Sequence, residues 1–404
     1  MRLSQTFTAL KHPNYRLWFF GQLVSLLGTW MQMVAQSYLV FELTKSPAFL
    51  GYVSFAFGLP SWIFMLYGGV ISDRMSRRKL MLISQATMML LAFVLTWLTF
   101  SGLVQPWHII VLAFLLGVAN AFDAPARQAI IFELVDKKDI TNAVALNSTL
   151  FNLSAVAGPA AAGVIYMAFG PGWCFAVNGI SYLAVIAALM LMKLESRAVP
   201  PKRSSTLSAL KEGIKYTFSD PDIWPIICLV GATTLFGFSF ATLMPAWAVT
   251  VLEGDATTNG LLQAARGGGA VLSALVLASL GRFAFRGKLI SFSAFSFPLF
   301  LIAFALVRTM PLSLLMLILI GIVLQLVMNL CNAILQTQAK DSVRGRVMSI
   351  YSLTHFGFMP IGGLFAGMMA EFAGEPVTII LSSGIFLLSV SILWIKAPQL
   401  RILK

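Results

Sequence analysis

The sequence predicts an all-α membrane protein in which twelve transmembrane helices form two pseudo-symmetric six-helix bundles. Of its 404 residues, 58% are hydrophobic and 11% are charged, whereas soluble proteins carry roughly 25% charged residues. Apolar runs of about 20 residues, each long enough to cross a hydrocarbon core of ~30 Å, recur along the whole chain. A soluble globule cannot cover its surface with so few charges, so we expect the chain to lie in a lipid bilayer.

The twelve spans follow from hydropathy and turn signals. Their connections on the side predicted to be external are short, as at 102–107 and 170–171. The even number of spans returns both termini to the same side. The predicted limits are 16–41, 48–72, 80–101, 108–126, 141–168, 172–193, 222–250, 258–282, 288–308, 311–337, 348–372 and 376–395.

The basic residues predict the orientation of these spans. The formal net charge is +13, which in a soluble protein would suggest a nucleic-acid partner. With a cytoplasmic N-terminus, however, all Lys and Arg except Lys45, Arg266 and Arg308 fall in predicted cytoplasmic segments. This asymmetry follows the positive-inside rule. It predicts two cytoplasmic termini, and it makes nucleic-acid binding unnecessary as an explanation of the charge.

The chain divides into an N-terminal bundle (1–194), a cytoplasmic linker (195–221) and a C-terminal bundle (222–404). Four apolar side chains of the linker follow a helical spacing, which predicts an amphipathic helix on the inner leaflet. They are Leu207, Leu210, Ile214 and Phe218. The simplest role for this helix is to join the two bundles, and a regulatory role is the alternative.

The two halves resemble weak repeats. The segment 129–146 aligns with 333–350 without a gap, and the same offset pairs Gly117 with Gly321. Parallel six-span repeats with a midplane site between them are typical of transporters whose halves rock against each other. Internal duplication therefore favours a transport function.

The loop between spans two and three carries the most specific motif. It reads Gly-Val-Ile-Ser-Asp-Arg-Met-Ser-Arg-Arg-Lys from Gly69 to Lys79. A solvated positive loop would explain the basic residues but not Gly69 and Asp73 at this spacing. Gly69 permits two helices to approach closely, and Asp73 can lie against a helix N-terminus, where the helix dipole stabilises a negative charge. The run resembles the signature loop GxxxDRxxRR of the major facilitator superfamily, with Ser76 where that family usually has glycine. The resemblance implies the family's fold and an inner gate formed by Gly69, Asp73, Arg74, Arg77 and Arg78.

A second polar group lies near the predicted end of span four. Asp123 is one of few acids at membrane depth, where an ionisable residue is costly and therefore a candidate for function. We expect it to join the inner gate with Arg127, and an ion pair between Asp123 and Arg77 would latch the outward-open state. In the superfamily, the resemblance implies a charge relay that involves the loop aspartate, Asp73, its arginine and the span-four acid, Asp123. The alternative is local pairing of Asp123 with Arg127 at i, i+4.

Span five carries Gly158, Pro159 and Gly163. These residues resemble the Gly-Pro motif of antiporter branches of the superfamily, which implies a bias towards export. Ordinary packing of small residues between helices is the alternative. The wider run 122–163, together with Tyr38–Thr44, resembles the bacterial branch that includes siderophore exporters and macrolide or multidrug efflux proteins.

Two polar stripes predict a substrate cavity. Each follows i, i+4, i+7, i+11 on an otherwise apolar helix, which lipid would penalise and a wet cavity would accept. Interhelical hydrogen bonding is the alternative. The stripe on span one is Ser25, Thr29, Gln32 and Gln36, and the stripe on span ten is Gln325, Asn329, Asn332 and Gln336.

Other ionisable groups complete the cavity and coupling candidates. Arg266 lies deep in span eight, where it would attract an anionic substrate or extend to Glu253 or Asp255. His355 in span eleven, one turn from Tyr351, is a proton carrier or a neutral packing residue. Because no acid lies near the middle of span one, the proton-coupling candidates are Asp123, His355 and Glu42, near the outer end of that span.

No motif predicts catalysis, a metal or a cofactor. The chain lacks a phosphate-binding GxxxxGK[ST] loop, HExxH and GxSxG, and its three cysteines, Cys174, Cys228 and Cys331, have no metal-ligand spacing. We therefore expect no enzyme activity, no cofactor and no catalytic residue. The expected partners are a small-molecule substrate, protons and the lipid bilayer, and the protein is expected to be a monomer.

These features predict a secondary transporter of the bacterial cytoplasmic (inner) membrane. It would export an amphipathic small molecule, such as a siderophore, a macrolide or another drug-like compound, by proton antiport with alternating access. The alternatives on the same fold are a proton-coupled uptake symporter, a lipid or lysolipid transporter, and a receptor that binds without flux. Fold alone does not separate them.

Replacing Asp73 tests the predicted gate. We expect Asp73→Asn to lower the transport rate while leaving expression intact, because the amide keeps the size of the side chain and loses only its charge. The measurement is the initial rate of substrate movement at equal amounts of protein. An unchanged rate would remove Asp73 from the gate.

Overall fold

The computed structural model describes residues 7–193, 214–280, 285–340 and 343–401, except for the side chains of 65–74, Ala278 and Leu280. Within these residues, twelve helices are long and apolar enough to cross a membrane, and the rest of the described chain forms turns and short helices. The predicted all-α fold class with twelve transmembrane helices is confirmed.

The helices are labelled α1 to α12 in chain order. Short 3-10 turns precede α1 and α5 and follow α12, at Thr8–Lys11, Lys137–Asp139 and Pro398–Arg401. The bounds are α1 Pro13–Thr44, α2 Pro47–Arg74, α3 Arg77–Phe100, α4 Pro106–Leu134, α5 Ile140–Phe169, α6 Pro171–Leu191, α7 Trp224–Val251, α8 Ala256–Leu280, α9 Arg286–Leu306, α10 Met310–Gln338, α11 Arg344–Ala373 and α12 Glu375–Lys396.

Helix α4 extends further than its hydropathy predicts. The predicted span ends at residue 126, whereas the helix continues to Leu134. Pro125 lies inside the helix, and although it removes one backbone hydrogen bond, the following segment contains buried Ile130 and Ile131 that hold it against the core. The extension adds Glu133 to the final turn of the helix.

Helix α7 changes its winding several times. It runs as an α-helix over Trp224–Ala232, as a π-helix over Thr233–Gly237, as a 3-10 helix over Phe238–Leu243 and again as a π-helix over Trp247–Val251. The Thr233 hydroxyl donates to the Leu229 carbonyl oxygen at 2.7 Å, and Pro245 has no N–H to donate. Such changes of winding inside a helix often mark functional positions.

The α4–α6 segment and the α10–α12 segment repeat in structure. Helices α10, α11 and α12 begin at the residues that correspond to the starts of α4, α5 and α6 at the offset pairing Gly117 with Gly321. Gly170 and Gly374 match at the same offset, and their φ angles are +90° and +79°. Each occupies the one-residue turn between two helices, in a backbone region that glycine adopts without strain.

Two compact units form by contact within the chain, and each is described separately. Unit 1 comprises Met1–Thr44, Leu59–Lys202 and Asp255–Ala264, and unit 2 comprises Lys45–Gly58, Arg203–Gly254 and Ala265–Lys404. The first part of α2 thus groups with unit 2 and the start of α8 with unit 1. The division predicted from the sequence assigns all of α2 to the first bundle and all of α8 to the second. This division into two bundles and a linker stays a prediction.

Most of the predicted linker helix, including Leu207 and Leu210, lies outside the described residues. Its final part, 214–219, is helical. The side chains of Ile214 and Phe218 are exposed, as an apolar face against a lipid leaflet requires.

Unit 1 is held together by close contact of α1 with α6 and by a hydrophobic core that includes two aromatic side chains of α1. A Cβ atom added to Gly28 of α1 would lie 2.5 Å from Ser181 Oγ and 2.6 Å from Asn178 Oδ1 of α6. Near the start of α1, Tyr15 and Trp18 are fully buried, and the Tyr15 hydroxyl donates to the Ala143 carbonyl oxygen of α5 at 2.8 Å. Small residues let the helix backbones approach, which lipid-exposed bundles need.

In unit 2, α8 and α10 touch along their backbones. A Cβ atom on Gly321 of α10 would lie 2.2 Å from the Arg266 carbonyl oxygen, and one on Gly269 of α8 would lie 2.1 Å from the Ile318 carbonyl oxygen. No side chain fits at either position without separating the two helices. The crossing therefore sets the position of Arg266 relative to α10.

Replacing Gly321 tests this crossing. We expect Gly321→Ala to lower the free energy of unfolding by about 1–3 kcal/mol, the usual cost of overpacking, because the new methyl group meets backbone. The melting temperature of the purified protein in detergent measures the effect. Gly268→Ala is the matched control, since a Cβ atom there meets nothing within 4 Å. Equal melting of the two variants would contradict the close crossing.

Candidate functional site

Asp123 lies at the centre of a small polar cluster within unit 1. Its side chain is 1% exposed, and Oδ1 accepts a hydrogen bond from Gln85 Nε2 of α3 at 3.0 Å. Arg127 Nε lies 3.5 Å from Asp123 Oδ2, one turn further along α4. A buried carboxylate requires such partners. This set of Asp123, Gln85 and Arg127 is called the Asp123 cluster below.

The expected ion pair between Asp123 and Arg77 is not the one in this structure. Arg77 Nη1 instead lies 2.6 Å from Glu133 Oε1 and donates to the Ala129 carbonyl oxygen at 3.2 Å. The local i, i+4 pairing of Asp123 with Arg127 is the alternative that the structure contains. Arg77 reaches Glu133 because α4 continues past its predicted end.

The other residues of the predicted inner gate are described in part. Arg78 Nη2 donates to the Met190 carbonyl oxygen near the end of α6 at 2.8 Å. Ser76, which replaces the family's usual glycine, caps α3 by accepting a hydrogen bond from the Lys79 N–H at 3.2 Å. The side chains of Asp73 and Arg74, and Gly69, lie outside the described part of the chain, so their place in a gate stays a prediction.

The Gly-Pro motif of α5 occupies two tight contacts. A Cβ atom on Gly158 would lie 2.5 Å from Trp30 Cβ of α1, and one on Gly163 would lie 2.8 Å from Thr257 Cα at the start of α8. Gly260 approaches α5 in return, since its added Cβ would lie 2.5 Å from the Pro159 carbonyl oxygen. Helix packing accounts for the small residues at these positions, and a direction-specific role stays a prediction.

Glu42 forms a second acidic group at the opposite end of unit 1. Its Oε2 accepts a hydrogen bond from the Tyr166 hydroxyl of α5. The Tyr166 ring packs edge-on against Tyr38, with centroids 5.0 Å apart. Both tyrosines are buried, whereas Glu42 is exposed. The carboxylate is therefore reachable from the end of α1 and linked to buried phenols.

The polar stripe of α1 packs against α6. Gln32 is 4% exposed, and its Oε1 accepts a hydrogen bond from Asn178 Nδ2 at 2.6 Å. Gln36 and Ser25 are also buried, and the half-buried Thr29 donates to the Ser25 carbonyl oxygen at 2.9 Å. Interhelical hydrogen bonding, the alternative to cavity lining, is thus what the structure contains at Gln32.

The polar stripe of α10 has a different setting. Gln325, Asn329 and Asn332 are partly exposed and Gln336 is exposed. Their amides bond along their own helix, with Gln325 Nε2 donating to Asn329 Oδ1 at 2.9 Å and Gln336 Nε2 to Asn332 Oδ1 at 2.6 Å. Amides paired along an accessible helix face can exchange these bonds for bonds to a ligand. The α10 stripe therefore keeps its place as a candidate cavity surface.

Arg266 lies next to the irregular part of α7. Its guanidinium carbon is 5.4 Å from the centroid of the Phe238 ring, a cation–π distance. Phe238 begins the 3-10 segment of α7. An intramembrane Arg beside an irregular helix is typical of a transporter binding site. Hydropathy alone did not indicate the change in α7, although its Thr pair, Gly237 and Pro245 carry the signal.

Tyr351 and His355 share one face of α11. Their rings are 6.3 Å apart and nearly parallel, and the edge of Phe356 packs against His355 at 4.8 Å. His355 Nδ1 is a buried atom without a hydrogen-bond partner among the described residues. The imidazole therefore has one hydrogen-bonding position available to a ligand or water.

A contact near the start of the chain was not anticipated from the sequence. His12 Nε2 lies 2.8 Å from Asp139 Oδ2, and the Ala9 N–H donates to Asn142 Oδ1 at 2.9 Å. Asp136 lies close enough for the three ligand atoms to approach a metal ion, but Lys138 pairs with it at 3.7 Å. We assign a tethering role to these contacts, which join the segment before α1 to the turn between α4 and α5.

Comparison with known proteins finds relatives that match nearly the whole length of this chain. The Staphyloferrin A transporter of Staphylococcus aureus (strain NCTC 8325 / PS 47) is 25% identical over 362 residues, covering 89% of this chain and 90% of the relative. The multidrug efflux pump Tap of Mycolicibacterium fortuitum is 26% identical over 404 residues, covering 98% of each. The enterobactin exporter EntS of Citrobacter koseri (strain ATCC BAA-895 / CDC 4225-83 / SGSC4696) is 26% identical, covering 91% of this chain and 88% of the relative.

Solved structures give the same fold. The crystal structure of a bacterial homolog to the human lysosomal transporter Spinster, inward-facing and unoccupied, superposes with a TM-score of 0.74 at 13% identity, covering 99% of this chain and 98% of that one. A family model described as transmembrane secretion effector matches residues 4–402. The predicted resemblance is thereby confirmed, and the chain belongs to this family of efflux transporters within the major facilitator superfamily.

Proposed function

We propose that the protein exports an amphipathic small molecule from the bacterial cytoplasm by proton antiport with alternating access. The observation that supports a substrate site most directly is Arg266 beside the irregular segment of α7. Polar groups and irregular helix segments near the middle of a membrane are tolerated where they are buried in protein or line a water-filled cavity. The names of the three relatives, a staphyloferrin A transporter, a multidrug efflux pump and an enterobactin exporter, support testing siderophores and drug-like compounds as substrates.

Proton coupling is assigned to two carboxylates in unit 1. The Asp123 carboxylate holds Arg127 and Gln85, so its protonation would weaken the attraction to Arg127 and free both groups to move. Glu42 would receive protons from the side predicted to be external, where its carboxylate accepts a hydrogen bond from the Tyr166 hydroxyl. His355 is the remaining candidate, through its unpartnered Nδ1.

The proposal includes the remaining expectations of the sequence. Both termini lie in the cytoplasm, the protein works as a monomer in the cytoplasmic membrane, and it needs no cofactor. Uptake by proton symport is the second candidate function. It would use the same carboxylates, since linkage between proton and substrate binding does not fix the direction of flux.

Transport in vesicles tests the direction. Purified protein in liposomes receives a pH gradient of either sign, with erythromycin, ethidium or a siderophore on one side. We expect substrate to move against the proton flow, because occupancy by one ligand excludes the other. Substrate movement with the protons would favour the uptake symporter, and movement of labelled phospholipid alone would favour a lipid transporter. Flux independent of the gradient would contradict coupling.

Charge-neutral variants locate the coupling groups. We expect Asp123→Asn and Glu42→Gln to abolish the response of transport to the pH gradient while substrate exchange at equal pH continues. Glu371→Gln is the matched control, because its carboxylate also accepts a hydroxyl hydrogen bond, from Ser46 at 2.5 Å, but is not assigned to coupling. A normal pH response in both coupling variants would remove these carboxylates from the mechanism.

The two polar stripes give opposite expectations. Gln32→Leu breaks an α1–α6 hydrogen bond, so we expect it to lower the free energy of unfolding by about 0.6 kcal/mol with little change in substrate Kd. Gln325→Leu should change Kd and leave the melting temperature unaltered. Melting curves and binding titrations in detergent measure both effects. The reverse pattern would place the cavity on α1 instead of α10.

A further inference from the structure

Gln85 brings an unused hydrogen-bond acceptor to the Asp123 cluster. Its side chain is 3% exposed, and its Nε2 donates to Asp123 Oδ1 at 3.0 Å. The oxygen of the same amide, Oε1, is buried and has no hydrogen-bond partner among the described residues. A buried acceptor without a donor is costly, so the position of this oxygen requires a physical reason.

The charge of Asp123 explains the orientation of the Gln85 amide. An ionised carboxylate only accepts hydrogen bonds, so it takes the N–H end of a neighbouring amide and leaves the oxygen end unpaired. Arg127, with Nε 3.5 Å from Asp123 Oδ2, is a donor as well. This arrangement therefore corresponds to the ionised form of Asp123, in which α3 donates a hydrogen bond to α4.

Protonation of Asp123 creates a donor that needs an acceptor. A guanidinium has five N–H donors and no acceptor, so Arg127 cannot receive the new O–H. Among the three side chains of the Asp123 cluster, Gln85 Oε1 is the acceptor that the carboxyl group does not itself supply. Rotation of the amide by half a turn brings this oxygen to Asp123 Oδ1, and Oδ2 still accepts from Arg127.

The surroundings of the cluster contain further titratable and charged groups on three helices. The Tyr182 hydroxyl of α6 is within reach of the charges of the cluster, but it already interacts with the side chains of Thr29 and Asn178. Arg77 of α3 is paired with Glu133 of α4. Gln85 is therefore the acceptor that the described surroundings offer to a protonated Asp123.

We propose that Gln85 is a positioning residue whose amide reverses its direction with the proton on Asp123. In the ionised form Gln85 Nε2 donates to Asp123 Oδ1, and in the protonated form the Oδ1–H donates to Gln85 Oε1. One proton passes from the aqueous phase to Oδ1, and one hydrogen bond is exchanged for the other. This inference rests on the proposed role of Asp123 in proton coupling and specifies how that proton is detected.

The reversal keeps α3 and α4 joined while the ion pair weakens. Helix α3 donates in one state and accepts in the other, so the link between the helices persists in both. Arg127 then faces a neutral carboxyl group, which holds a guanidinium less strongly than a carboxylate does. The freedom that Gln85 gains on protonation is used in the rotation of its amide.

Infrared difference spectra of the full-length protein in nanodiscs test the reversal. The protein carries glutamine with a heavy isotope at the side-chain carbonyl carbon, and spectra are recorded across the pH range in which it stays folded. Asp123→Asn identifies the band of the protonated carboxyl group, and Gln85→Met identifies the Gln85 carbonyl band. We expect the Gln85 band to move to lower frequency when Asp123 takes up its proton, because accepting a hydrogen bond weakens the C=O bond.

Two spectroscopic results would overturn the reversal. One is a glutamine carbonyl band that stays in place while Asp123 becomes protonated, and the other is the absence of any carboxyl band that Asp123→Asn removes. Both can be read without Gln85→Met, because the expected pH-dependent part of the glutamine band must also vanish in Asp123→Asn. A merely structural hydrogen bond from Gln85 would not move this band.

Transport by matched variants separates positioning from packing. Methionine keeps the approximate size of glutamine and removes both ends of the amide, so we expect Gln85→Met to lower proton-driven transport by about 10-fold while substrate exchange at equal pH continues. Gln22→Met is the matched control, since Gln22 of α1 is also a buried glutamine, and it should keep wild-type coupling. Wild-type coupling in Gln85→Met would contradict the positioning role.

The spectra and the transport rates can fail independently. A Gln85 band that moves in a protein without proton-driven flux would retain the reversal and reject coupled transport. Proton-driven export with a stationary Gln85 band would retain the transport function and reject the reversal.

Discussion

Direct backbone contact between helices determines most of this structure. In a bilayer, lipid tails are as apolar as the side chains, so the hydrophobic effect does not pull helices together. Gly321 and Gly269 allow α8 and α10 to touch, and Gly163 and Gly260 do the same for α5 and the start of α8. Each contact fixes the rotation of a helix about its axis. These fixed rotations in turn determine the directions of the side chains on each helix.

Polar groups then separate into two kinds. Gln32 and Asp123 are enclosed and satisfied by neighbours on other helices, Asn178 and Gln85, so they contribute specific pairing. The amides of α10 bond along their own helix and stay accessible. The first kind holds unit 1 together and carries a titratable group inside it. The second kind forms the candidate cavity surface of unit 2, whose role in substrate binding stays a proposal.

The helices and the transporter family of the chain could be predicted from the sequence. Which helices pack against each other could not. Hydropathy predicts spans because the lipid core penalises unsatisfied polar backbone groups. It did not predict that α4 continues past Pro125, and this continuation brings Glu133 within reach of Arg77. Periodicity placed Gln32 and Gln325 on similar stripes, yet period alone does not reveal which helix covers a stripe. Gln85 was missed because a single amide on α3 has no pattern around it. Thr233, Thr234 and Pro245 are the sequence signal for the changes of winding in α7, which hydropathy alone did not indicate.

The mixed winding of α7 has a mechanical consequence. A π segment is wound more loosely than an α-helix and a 3-10 segment more tightly, so α7 contains opposite deviations side by side. If one residue changes from π to 3-10 winding, the helical segment between the two windings rotates about the axis of α7. Both ends of α7 can stay in place during this rotation. Phe238 lies at such a junction, and a small rotation there changes the space beside Arg266. We expect this helix to adjust the width of the site by twisting, without hinging or unfolding.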